Sequence, residues 1–399
     1  MSAYAAFSSR NYRYLLAAAS SSMLGQQMLS VVVAWDLYRI TRSALALGNV
    51  GLAQVLPVFL FTFIAGNIAD RKDRSRTGLI TQTSAGLVGV LLFVAGEHRS
   101  VWMIYACLFL IATARAFQWP VTSSMLPQTV PLQHLTNAVS WNGSARETAT
   151  MVGPALGGFI ISQWGSEPVY LGQAICSLIS AYCYHNVHVP ALTKVNHDQP
   201  GWKATLEGLK FVWREKVILS SMSLDLLAVL FGGATALMPI FALDILHVGA
   251  KGLGWLQAAP AMGAGLMSLA LAHRSTIGAA GKALLWAVIG FGVATVVFAL
   301  STNFWLSLAA LFLLGAFDAI SVVLRISLVQ MRTPDYLRGR VAAVNALFIS
   351  SSNQWGAVES GVAASLLGTV PSVVFGGMMT IVIVALIGWR ATSLREWRN

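Results

Sequence analysis

The chain has 399 residues, 56% of them hydrophobic and only 10% charged, with a mean hydropathy of +0.68. A soluble domain carries roughly 25% charged residues, so secreted disulfide scaffolds, disordered chains and most cytosolic enzymes are excluded, and a polytopic helical membrane protein remains. The formal net charge of +11 would suit nucleic acid, but the basic residues form no aromatic-interleaved basic surface of the kind such binders use.

Apolar stretches of about 20 residues span a bilayer as helices. Twelve are predicted, at 14–38, 46–69, 77–96, 101–126, 137–163, 168–189, 218–245, 252–272, 282–301, 304–331, 339–366 and 370–390. Arg10 and Arg13 precede the first without a small-residue cleavage site, so that span is expected to be retained. One long polar connection, 190–217, falls mid-chain and reads as a linker with a short amphipathic helix. This predicts an N-terminal half at 1–189 and a C-terminal half at 218–399, an all-α membrane protein of two six-helix halves. Cys107, Cys176 and Cys183 lie in apolar stretches and read as small apolar fillers.

Placing both termini inside puts nineteen Lys and Arg residues on the inner side. Only Arg39, Arg42, Arg99 and Lys251 fall outside, and Arg115, Arg146 and Arg325 fall within spans. This positive-inside bias predicts cytoplasmic termini in the cell inner membrane.

A shift of 203 residues brings the chain onto itself. Gly51-Leu-Ala-Gln54-Val-Leu-Pro57 overlays Gly254-Trp-Leu-Gln257-Ala-Ala-Pro260, and Arg71, Phe109, Pro131, Asn142 and Gly158 meet Arg274, Phe312, Pro334, Asn345 and Gly361. Two copies of six spans in one orientation predict a parallel-repeat carrier with its substrate site between the halves.

Charges inside spans are costly and point to function. The chain keeps Arg115, Arg146, Glu147, Asp225, Asp318, Arg325 and Glu359 there, with Asp36 near an outer end. Arg115 and Asp318 are repeat equivalents of opposite sign, which suggests an ionic link or a shared water cavity. Arg325 lies two turns beyond Asp318 on the same helix face, about 10 Å away. Asp225 has no basic residue nearby in sequence and is the leading candidate to take up and release a proton. Asp318, Glu147 and Glu359 are the other candidates, with Arg115, Arg146 and Arg325 as counter-charges or anchors for an anionic substrate.

Gly66-Asn-Ile-Ala69-Asp70-Arg71-Lys-Asp73-Arg74-Ser75-Arg76, between spans two and three, resembles the signature loop of the major facilitator superfamily. The resemblance implies a conformational gate in which Gly66 allows close packing and Asp70, Arg71 and Arg74 form an ionic latch. Asp73 stands where that family usually has glycine, and Ser75 where it usually has a base. Arg115-Ala-Phe-Gln118 resembles the R-x-x-Q element, associated there with substrate or proton handling. Gly143 with Gly153-Pro154-Ala-Leu-Gly157-Gly158 resembles the antiporter signature of exporters. Phe7-Ser-Ser-Arg10-Asn-Tyr-Arg13, Leu224-Asp225-Leu-Leu-Ala, Thr333-Pro334-Asp335-Tyr-Leu-Arg338-Gly339-Arg340-Val and Ser352-Asn353-Gln354-Trp-Gly356 narrow the similarity to the branch holding enterobactin (siderophore) exporters and macrolide efflux proteins. Gln26-Gln27 and Gln354 stand where that branch often carries acids.

No Walker A loop is present, and His185, His188 and His197 have only loose metal-ligand spacing. No cofactor, no metal and no enzymatic activity are expected. Trp119, Trp141 and Trp355 are expected in core packing, with a cavity lining as the alternative. The reading is a secondary transporter working as a monomer in the lipid bilayer. It is expected to export a siderophore or drug-like molecule by proton antiport, the alternative being proton-coupled import of a small solute.

Overall fold

Among the described residues, the apolar stretches are mainly helical in the computed structural model, which describes residues 4–71, 73–188, 201–232, 234–273, 278–395 and 397. Six long helices come first: α1 (Arg10–Thr41), α2 (Ala44–Arg71), α3 (Arg74–Glu97), α4 (Val101–Met125), α5 (Leu135–Trp164) and α6 (Glu167–His185). The linker contributes α7 (Gly201–Arg214), while 190–200 lies outside the described residues. Then follow α8 (Lys216–Phe231), a short α9 (Met238–Ile240), α10 (Gly249–Ala272), α11 (Ala280–Leu300), α12 (Phe304–Arg332), α13 (Arg338–Leu367), α14 (Thr369–Arg390) and a terminal turn, α15 (Thr392–Arg395).

The 203-residue repeat is written into the helix ends. Moving α5 by that offset gives 338–367, the bounds of α13. Gly165 and Gly368, one offset apart, cap those two helices at φ 88° and 90°, a left-handed geometry that glycine adopts without steric cost. Ser100 and Asn303, also one offset apart, stand at the N-caps of α4 and α12; Asn303 Oδ1 accepts from the N–H groups of Trp305 and Leu306.

Among the described residues, nine helical stretches are long and apolar enough to cross a membrane. The other three, α5, α6 and α13, are more polar: α5 alone carries Asn137, Asn142, Arg146 and Glu147. The seventh stretch, expected as one helix over 218–245, is interrupted. Helix α8 stops at Phe231 before Gly232, and a 3-10 turn (Ala234–Leu237), α9 and a π turn (Phe241–Ile245) complete it. Glycine lowers helix propensity and Pro239 lacks a donor, so the ladder breaks here.

By its contacts the chain divides into two compact units, 1–40 with 53–198 and 41–52 with 199–399. In the first, α1 is seated between α5 and α6. A Cβ at Gly153 would lie 2.5 Å from Gln27 Cβ, and one at Gly157 would lie 3.2 Å from the Met28 carbonyl. Ser180 Oγ donates to the Ala18 carbonyl at 2.9 Å and Ser21 Oγ to that of Cys176 at 2.7 Å, tying α1 to α6. Close backbone approach and short side-chain-to-backbone bonds replace the hydrophobic drive that is missing between helices in lipid.

In the second unit, α10 crosses α12 with backbone against backbone. A Cβ on Gly315 would run into the Pro260 carbonyl, and one on Gly263 into that of Phe312. An apolar core of Val212, Ile218, Met222, Leu224, Leu324, Leu328 and Val341 joins α7, α8, α12 and α13.

Candidate functional site

The buried charges of the second unit converge. Asp225 projects from α8 and Arg325 from α12, and their side chains form an ion pair. Arg325 is 2% exposed and Asp225 8%. Asp225 has no basic residue nearby in sequence, and its partner, one of the expected counter-charges, is a hundred residues away, brought in by the packing of α8 on α12. The Nε of Arg325 finds no hydrogen-bond acceptor among the described residues. The guanidinium is thus held chiefly by one carboxylate and is under-satisfied on its other edge.

Asp225 and Asp318 line one small cavity of about 10 Å³ together with Val288, Phe291, Phe317, Ala228, Val229 and Ser321. That is room for about one water molecule. Phe291 lies against Gly232 and Phe317 against Gly290, so both rings are fixed as walls. The group therefore holds two carboxylates and one guanidinium, carrying a net charge of −1 when all are ionised. One proton neutralises it. Protonating Asp225 would strip a buried cation of its partner, which is costly. Asp318 forms no ion pair among the described residues. Ser321, Phe291 and Phe317 were not singled out in the sequence, where a serine one turn beyond an intramembrane acid was the available signal.

In the first unit, Ser22 of α1 gathers two amides: Gln82 Nε2 donates to its Oγ at 3.0 Å and Gln118 Nε2 at 3.3 Å. Gln118 of the R-x-x-Q element is thereby tied to α1 and α3, and Thr122 Oγ1, one turn on, lies 2.6 Å from the Tyr184 hydroxyl. Arg115 is exposed in this unit. The Arg146 guanidinium lies 5.9 Å from the centre of the Trp119 ring, a cation–π contact between α5 and α4. Trp119 is 65% exposed and Trp355 45%, so neither is packed in a core as expected; Trp141 stacks on Tyr4. Glu147 is exposed and Glu359 half-buried.

Near the opposite end of α1, Asp36 is buried and accepts hydrogen bonds from Ser166 Oγ at 2.6 Å and the Tyr170 hydroxyl at 2.9 Å. The side chains of Gly66, Asp70 and Arg71 lie outside the described residues. Arg74 is buried and donates to the Ser124 carbonyl at 3.2 Å. Asp73, which replaces the expected glycine, caps α3 by accepting from the Arg76 N–H at 3.2 Å. Gly153, Pro154, Gly157 and Gly158 are buried, and Gly153 and Gly157 form the α1–α5 contact. Gly143 is exposed with nothing near it, so it takes no part in that packing.

The described residues thus form long apolar helices in two compact units, with an ion pair and a second acid set among the helices of the second. The chain belongs to the Major Facilitator Superfamily, whose family model matches residues 15–357. Among curated relatives it is 28% identical over 191 residues to the staphyloferrin A transporter of Staphylococcus aureus, spanning 47% of each chain, about half the length of that relative. To the enterobactin exporter EntS of Citrobacter koseri it is 23% identical over 394 residues, covering 97% of this chain and 93% of the exporter. Its fold matches the crystal structure of the POT family transporter PepTSo with a TM-score of 0.75 at 14% identity, covering 97% and 98% of the two chains. The chain is a multi-pass helical membrane protein of that family.

Proposed function

We propose that this transporter exports a siderophore or drug-like organic molecule in exchange for protons, by alternating access in the inner membrane with both termini cytoplasmic. The halves 1–189 and 218–399 are the moving bodies, and 190–217 joins them. The observation that carries the coupling is the group of Asp225, Arg325 and Asp318, which carries one excess negative charge and lies at a cavity of about one water. A proton arriving on Asp318 neutralises the cluster; its loss restores a net charge that is expensive in a dry bundle. The two protonation states thus favour different degrees of hydration around α8, α11 and α12. Arg115, Gln118 and Arg146 supply cationic and amide groups for the anionic or hydroxyl functions of the substrate, with Glu147 and Glu359 as further carboxylates. Gly66, Asp70, Arg71 and Arg74 serve as the gate, and the Gly143–Gly158 segment supports exchange over symport. The near full-length similarity to an exporter supports the outward direction.

Inverted membrane vesicles with an acidic lumen test this reading. The expected result is accumulation of a catechol siderophore or a fluorescent cationic dye, collapsed by a protonophore. Uptake confined to right-side-out vesicles under an inward proton gradient would establish import by symport instead.

A further inference from the structure

The linker helix α7 has two chemically distinct faces. On one, Val212 is fully buried in the apolar core with Leu337 and Val341, and Gly208 rests on the backbone of Arg340. The acids of this segment are both paired: Glu207, exposed at the edge next to Arg214, pairs with Arg340, and Glu215 pairs with Arg332 at 3.7 Å. The clasp to α12 and α13 therefore consumes the negative charge of the segment. The opposite face presents Leu206, Lys210, Trp213 and Arg214, all exposed, with Trp213 at 65%. At 100° per residue these four fall within one arc opposite Gly208 and Val212.

Depth is fixed by chain continuity. Helix α7 ends at Arg214, and α8, part of an apolar stretch long enough to cross a membrane, begins at Lys216. Trp213, Arg214 and Lys216 thus sit within a turn of a spanning helix, at the level where the hydrocarbon meets the headgroups. An indole, an aliphatic side chain and clustered cations on one helix face suit that level: the apolar groups enter the boundary and the cations meet phosphate.

We propose that this face of α7 is a docking surface for anionic lipid headgroups, with Lys210, Arg214 and Lys216 engaging phosphodiesters and Leu206 and Trp213 entering the acyl boundary. The clasp fixes the helix to α12 and α13 on one side, and the lipid surface holds it on the other. The linker thereby works as a surface-bound strap, and its attachment depends on the charge of the leaflet. This inference requires only that the chain spans the membrane, and holds whatever the substrate or its direction.

The test uses the full-length protein carrying Leu206→Cys labelled with an environment-sensitive fluorophore, the unsubstituted chain treated identically supplying the background of Cys107, Cys176 and Cys183. It is reconstituted into vesicles of phosphatidylcholine alone or with one quarter phosphatidylglycerol. The expected result is a blue-shifted emission, quenched by spin-labelled lipid, in the anionic vesicles at low salt, weakened by high salt. Lys210→Glu with Arg214→Glu lowers that quenching on the order of tenfold, since each surface cation contributes severalfold to anionic-lipid attachment. Lys210→Gln with Arg214→Gln gives an intermediate value. Solvent-like emission in both vesicle types would overturn the proposal and leave the face to a soluble protein partner. Equal quenching in both types, unchanged by the charge reversals, would overturn it as well.

Discussion

The guanidinium of Arg325 on α12 closes on the carboxylate of Asp225 on α8, and both side chains are sealed from bulk solvent. Breaking a buried pair by removing one partner leaves an uncompensated charge, at a cost of about 3–5 kcal/mol. Asp225→Asn and Arg325→Gln should each lower the unfolding temperature of the detergent-solubilised protein. The double variant should recover most of the loss, because two neutral polar groups replace the pair. Thermal unfolding across this double-mutant cycle reads the coupling directly.

The α10–α12 crossing has no room for a methyl group. Gly315→Ala should destabilise the second unit by at least the roughly 1–3 kcal/mol of ordinary overpacking, because the obstacle is the Pro260 carbonyl and cannot rotate away. Gly143→Ala, with nothing within 4 Å of its added carbon, should be neutral. Comparing expression and thermal unfolding of the two variants checks this.

Ser22 is a shared acceptor for Gln82 and Gln118. Ser22→Ala should cost about 1 kcal/mol of stability and alter the substrate concentration giving half-maximal transport, since Gln118 loses its tether. Ser22→Thr, which retains the hydroxyl, should restore both. Dose–response transport curves with thermal unfolding separate the two effects.

Asp36 is held by Ser166 and Tyr170 without a salt-bridge partner among the described residues. Hydrogen bonds to a charged group contribute about 1.5–3 kcal/mol. Tyr170→Phe should therefore lower stability by that order in the wild-type background and by much less in an Asp36→Asn background. Unfolding measurements on the four proteins test it.

Most of the architecture was legible because membrane helices announce themselves: long apolar runs, and a constant 203-residue offset carried by pairs such as Pro57 with Pro260 and Gly158 with Gly361. The seventh span was misread as unbroken because hydropathy stays high through Gly232 and Pro239, where the backbone ladder fails. The ionisable residues within the spans were legible one by one, but not which of them meet. Which counter-charge meets Asp225 was not legible because Arg325 lies on another helix, and sequence proximity says nothing about that. Trp119 looked like core because an aromatic in an apolar run has no visible outer face; the structure turns it out toward Arg146. Asp73, a departure from the family pattern, proved to be a helix cap, a role its spacing to Arg76 already allowed.

The account turns on Asp318 as the proton carrier of the cluster. The measurement is substrate accumulation in inverted vesicles with and without a pH gradient, compared with gradient-free exchange of labelled for unlabelled substrate, in the wild type and in Asp318→Asn. The account predicts that Asp318→Asn loses gradient-driven accumulation and keeps exchange, because the neutral side chain mimics the protonated state and leaves the Asp225–Arg325 pair intact. An Asp318→Asn protein that still accumulates substrate against its gradient at the wild-type level would contradict it.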